Sequence, residues 1–77
     1  MDLLRLLQAA ELLRAMSEHV YCYQPMGNRI HVSGKQYCER DLVDDLKAEG
    51  LVDQVSPTRW KITFKGREAV ANIVEPE

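Results

Sequence analysis

The chain has 77 residues, 45% hydrophobic and 29% charged, with a formal net charge of −2. That composition belongs to a globular chain rather than a disordered one, and the length suits a single domain over residues 1–77. A domain this short buries only about 60% of its extended surface, so its stability margin is thin and self-association would add to it. No apolar run approaches the ~20 residues of a membrane span. The leucine-rich start is interrupted by Asp2, Arg5, Gln8, Glu11 and Arg14 at helical intervals, unlike the core of a signal peptide. The expectation is a cytoplasmic protein without membrane contact, whose cysteines, Cys22 and Cys38, stay reduced.

Asp2 is placed to cap a first helix running to about Glu18. Leu6, Ala9, Ala10, Leu13, Met16 and Val20 recur at helical spacing and define its apolar face. Leu3, Leu4, Leu7 and Leu12 fall at the margin of that face or off it. A helix apolar on more than one side is either enclosed by its domain or shared with a partner. Because so small a domain has little material for enclosure, these four leucines are the expected homodimer interface; a helix sunk in the monomer core is the alternative.

Val20, Tyr21, Cys22 and Tyr23 have strand propensity, and Pro25-Met26-Gly27-Asn28 is a turn signal. Arg29-Ile30-His31-Val32 alternates, which points Ile30 and Val32 inward from a short strand. Ser33 then stands three residues before Gln36, the spacing of a capping box, and predicts a central helix over 35–49. Cys38, Leu42, Val43 and Leu46 form its inward stripe. Gly50 supplies the left-handed stop, after which Leu51 folds back onto Leu46. Strands over 51–55 and 59–64 follow, joined by a turn that contains Pro57. Trp60, Ile62 and Phe64 alternate with Arg59, Lys61 and Thr63 on the second strand, with Trp60 expected to pack on the central helix. Thr63 is placed to cap a last helix from Phe64 to about Val74, with Val70, Ile73 and Val74 inward and residues 75–77 as a frayed end.

From Ser33 onward this order resembles the back half of a winged helix-turn-helix domain, over roughly residues 33–74. The motifs that carry the resemblance are Leu46-Lys47-Ala48-Glu49-Gly50-Leu51-Val52 and Ile62-Thr63-Phe64-Lys65-Gly66-Arg67-Glu68-Ala69. It implies a small α+β, winged-helix-like domain in the order helix, short strand, helix, two-stranded wing, short C-terminal helix. That family usually has another helix before the recognition helix, where this chain has a strand and a loop. The resemblance also implies a DNA-binding transcriptional regulator of bacterial or phage type. Lys35, Gln36, Tyr37 and Arg40 would face the major groove of double-stranded DNA, with Gln36 suited to adenine and Arg40 to guanine. Thr58, Arg59 and Lys61 at the wing tip would grip the backbone or minor groove, and Arg29 would add to the basic surface. Two-fold symmetry would set half-sites ~34 Å apart.

Charge is unevenly spread. Arg59, Lys61, Lys65 and Arg67 make the wing region basic, whereas Glu39, Asp41, Asp44, Asp45, Glu49 and Asp53 make the central helix acidic. Carboxylates near phosphate are repelled, so a second reading stands beside the first. In it the chain is a winged-helix-shaped protein-interaction module, an inhibitor or adaptor of phage type, whose acidic helix face docks on a basic protein. His19, Cys22, His31 and Cys38 lack the spacing of a zinc site. Asp44 and Asp45 are adjacent on a helix and do not face one another, and no phosphate loop or nucleophile–base spacing is present. The expectation is therefore no enzyme, no metal and no cofactor.

Overall fold

The computed structural model describes residues 3–73, with side chains described as far as Ala71. Eight elements follow one another: α1 (Leu3–His19), β1 (Tyr21–Tyr23), β2 (Arg29–Val32), β3 (Lys35–Glu39), α2 (Arg40–Ala48), β4 (Val52–Ser56), β5 (Arg59–Ile62) and α3 (Phe64–Ile73). The five strands make one sheet in the order β3-β2-β1-β5-β4, antiparallel throughout. The α+β class expected from the sequence is correct. The element order differs: three strands, not one, separate the first two helices, and the expected wing is one side of a continuous sheet. The Asp2 cap, the side chain of Ile73, Val74 and the 75–77 end fall outside the described residues.

The largest difference begins at Ser33. Val32 pairs with Lys35 across a two-residue turn in which Ser33 has φ 52° and Gly34 φ 89°. Two successive positive φ values give the tight turn whose twist matches that of a hairpin. Ser33 is therefore a hairpin residue, not a helix cap, and residues 35–39 form a strand. α2 starts at Arg40, with Glu39 as an N-cap that makes no side-chain capping bond. The Arg40 N–H is satisfied instead by the Asn28 carbonyl at 3.0 Å.

Beyond that point the local signals agree with the structure. Gly50 has φ 81°, its N–H donates to the Lys47 carbonyl at 3.0 Å, and the Leu51 N–H reaches back to the Leu46 carbonyl at 2.9 Å. That pair of bonds satisfies carbonyls the helix end leaves over. Thr63 accepts the Gly66 N–H at its Oγ1 at 3.0 Å and donates the same hydroxyl to the Gly50 carbonyl at 2.7 Å. One side chain thus caps α3 and ties it to the end of α2. Phe64 does not continue the Trp60–Ile62 face; it opens α3 and is 77% exposed.

The core lies between the sheet and the helices. The in-register pairs Cys22 with Trp60, Ile30 with Cys38, and Val52 with Ile62 are all buried. They join one cluster with Ala9, Leu12, Leu13 and Met16 of α1, Leu42, Val43 and Leu46 of α2, and Val70 of α3. Buried strand residues therefore point to one side, where the helices sit, and the alternate residues point away from them. On α1 the buried stripe is turned from the expected one: Leu12 is fully buried and Leu6 is 52% exposed. Leu12 belongs to the core and is corrected from the expected interface set. In the first turns of α1 the position nearest α2 is held by Arg5, which meets Asp41 at 3.4 Å and Asp45 at 2.5 Å. Just past the end of α1, Val20 has a φ of 76°, a conformation more often given to glycine. Its carbonyl accepts the Ile62 N–H at 3.0 Å, which seats β1 beside β5.

Candidate nucleic-acid interface

With every buried strand side chain turned toward the helices, the opposite face of the sheet is open. Its side chains follow from strand register. Gln36 lies opposite His31, His31 opposite Tyr23, Tyr23 opposite Arg59, and Arg59 opposite Ser56, a row that crosses all five strands. Beside it, Tyr21 lies opposite Lys61, and Lys61 opposite Asp53. Arg29 lies opposite Glu39 at the other side.

This arrangement sorts charge by strand. The three central strands read Arg-Ile-His-Val, Tyr-Cys-Tyr and Arg-Trp-Lys-Ile and hold no acid. The carboxylates on this face, Glu39 and Asp53, sit on the edge strands β3 and β4. Arg29, Arg59 and Lys61 are all exposed. The net charge of −2 therefore masks a cationic strip, because most of the acids belong to the helical side and the chain ends.

Aromatic rings lie among these cations. The Tyr23 and His31 rings are 6.0 Å apart between centroids and tilted by 37°. The Gly34 N–H donates to the Tyr23 hydroxyl at 2.9 Å, which fixes that ring across the β2–β3 turn. Tyr21 is 41% exposed, with the Arg59 guanidinium carbon 5.7 Å from its ring centre. That distance is near the outer limit of a cation–π contact.

The residues expected to bind DNA divide into two groups. Arg29, Arg59 and Lys61 lie on the open face, whereas Gln36, although opposite His31 in register, lines a groove with Arg5 and Gln8 of α1. Thr58 is exposed in the β4–β5 turn, where its carbonyl accepts the Gln24 N–H at 2.8 Å. Lys35, Tyr37 and Arg40 do not join them. Lys35 and Tyr37 line a groove against Glu11 and Glu18 of α1, with the Lys35 ammonium 5.3 Å from the Tyr37 ring centre. Arg40 is occupied within the fold: it donates to Gln24 Oε1 at 3.1 Å, lies 5.3 Å from the Trp60 ring centre and is 3.8 Å from Asp44. The helical recognition surface expected from 35 to 40 is thus replaced by a strand and a packed arginine. Tyr21, Tyr23 and His31 were missed, although the alternation in Y-C-Y and R-I-H-V carried the signal that they share a face.

The other candidate features also resolve. Leu3, Leu4 and Leu7 are 71%, 65% and 55% exposed and, by helical spacing, lie on the side of α1 away from the core. On α2, Asp41 and Asp45 are held by Arg5, and Asp44 lies near Arg40, so the acidic face is partly neutralised from within. Cys22 and Cys38 are buried free thiols. Burial pushes both up to about 12, with Cys38 adding to the effect on Cys22 and Asp41 to that on Cys38. Among the described residues no group of three or more His, Cys, Asp or Glu side chains is arranged to hold a metal ion, and no helix is long and apolar enough to cross a membrane. No family model matches the chain, and comparison with curated proteins and with solved structures finds no similar protein.

Proposed function

We propose that this chain is a small nucleic-acid-binding protein that docks the open face of its sheet on the phosphate backbone, in the manner of a DNA-binding regulator. The observation that carries the reading is the acid-free strip of β2, β1 and β5, with Arg29, Arg59 and Lys61 exposed on one face. Each phosphate neutralised by such a cation releases counterions, which drives binding and makes it salt-dependent. Three contacts predict a log–log salt slope of roughly −3. The two free thiols suit a reducing, cytoplasmic setting. A homodimer through Leu3, Leu4 and Leu7 would leave both open faces free, since these leucines lie on the opposite side of the domain from the strip. The protein-docking alternative is less favoured, because Arg5 already engages two of the acids it would use.

The test is titration with mixed-sequence DNA at low and moderate salt, with wild type beside the Arg59→Ala/Lys61→Ala double variant. Binding should weaken with salt, and the variant should bind more weakly with a shallower slope. Absence of binding at low salt would sink the proposal. Sedimentation at micromolar concentration addresses the dimer: Leu4→Glu/Leu7→Glu should be monomeric, and a wild-type monomer removes that part.

A further inference from the structure

We infer that the open sheet face takes single-stranded nucleic acid, with bases stacked on Tyr21 and on the Tyr23–His31 pair; this rests on the phosphate-docking reading above. A duplex offers phosphates on its outside but keeps its base faces stacked. Unpaired bases offer flat π-faces that aromatic side chains can cover. On this face Tyr21 is exposed and Tyr23 and His31 are half-buried, an arrangement that suits unpaired bases better than a duplex groove. Tyr21 and Tyr23 are two residues apart on β1, so their rings rise from the same face about 6.7 Å apart along the strand. His31 stands beside Tyr23 on β2, a strand spacing of ~4.8 Å away.

The cations flank this aromatic row. Arg59 and Lys61 run along β5 on one side of it, and Arg29 stands on β2 on the other. A strand laid along β1 would set its bases on the rings and its phosphates near β5. Arg59 at present covers part of Tyr21 through a loose contact of 5.7 Å. An exposed contact of this kind is weak, and the guanidinium can exchange the ring for a phosphate or stack on a base itself. Glu39 and Asp53 on the edge strands repel a second backbone, which confines the ligand to the centre. The ring-bearing centre with acidic borders fits one flexible strand better than a rigid duplex.

The test uses fluorescein-labelled 12-mers of mixed sequence: single-stranded DNA, single-stranded RNA, a duplex of the same sequence, and an abasic strand with the same phosphates. Either single strand should bind at least about tenfold more tightly than the abasic strand or the duplex. Tyr21→Ala should weaken single-strand binding by roughly 5- to 150-fold, the range for losing one stacked base. Tyr21→Phe should retain it, and circular dichroism checks that both variants fold. Equal affinity for the abasic strand, or no effect of Tyr21→Ala, overturns the inference. Preference for the duplex also overturns it while leaving phosphate docking intact, whereas no binding to any probe at low salt removes both.

Discussion

Gly66→Ala should destabilise the fold, although the same change in most helices does the opposite. Gly66 lies in the first turn of α3, and its backbone rests against the chain that follows α2. An added Cβ would stand 2.2 Å from the Leu51 carbonyl oxygen and 2.8 Å from Ile62 Cγ1. The first distance is roughly 1 Å short of an ordinary C···O approach of about 3.3 Å. The carbonyl is held in place, since it accepts the Thr63 N–H at 3.1 Å while the Leu51 N–H is bonded to Leu46 at 2.9 Å. Ile62 is a core residue, 3% exposed. α3 must therefore shift, and overpacking of this kind costs about 1–3 kcal/mol, which reverses the ~1 kcal/mol that alanine normally gains over glycine within a helix. A domain of this length has only about 4–12 kcal/mol in total. Because the neighbour is a held backbone carbonyl, the cost falls in the upper half of that range and the net loss is about 1–2 kcal/mol; with a urea slope of ~1 kcal/mol/M, the unfolding midpoint should fall by about 1–2 M. Gly27→Ala is the comparison: its Cβ would meet nothing within 4 Å, so only the positive φ of 63° opposes it. An unchanged or higher midpoint for Gly66→Ala would refute the close backbone approach.

Ser33→Asn should stabilise the protein by on the order of 0.5–1 kcal/mol, because asparagine tolerates the left-handed conformation that serine adopts here at φ 52°. Serine and asparagine are near-equal as helix caps, so an unchanged urea midpoint would favour the capping role over the hairpin. Cys22 and Cys38 should resist a thiol reagent at pH 8 in the native protein and react once it is unfolded. Their native pKa values of about 12 stand above the ordinary 9.0. The unfolded state therefore loses protons first, and stability should be unaffected by these thiols below about pH 9 and fall as pH rises toward 12. Native reaction at the rate of free cysteine would contradict their burial.

The parts of the fold legible in the sequence are those set by neighbouring residues. The Gly50 stop, the Thr63 cap, the β4–β5 turn and the inward pairs Ile30/Val32 and Trp60/Ile62 each depend on a few adjacent positions. Ser33 and Gly34 are local too, but ambiguous: a serine three residues before glutamine mimics a capping box, whereas Ser-Gly between two alternating runs is also a hairpin signal. What decides is β2, which needs a partner on its open side, and that demand is tertiary. The interface was harder to see for the same reason. Arg59 and Lys61 stood out by charge, and Tyr21 and Tyr23 as strand formers. Their meeting depends on β1 pairing with β5, close to forty residues later, and no local pattern announces it.

That pairing also governs how the molecule assembles. β2–β3 and β4–β5 are hairpins that can form early, since their loops are short. The three-residue β1 is the seam between them. Closing it must overcome the entropy of the long intervening segment, so it should be the slow step of folding and the first place to open. The seam runs through the proposed platform, with Tyr21, Tyr23 and His31 on one side and Arg59 and Lys61 on the other. A ligand bound across it would act as a splint, slowing hydrogen exchange at β1 and β5 more than at the hairpin ends.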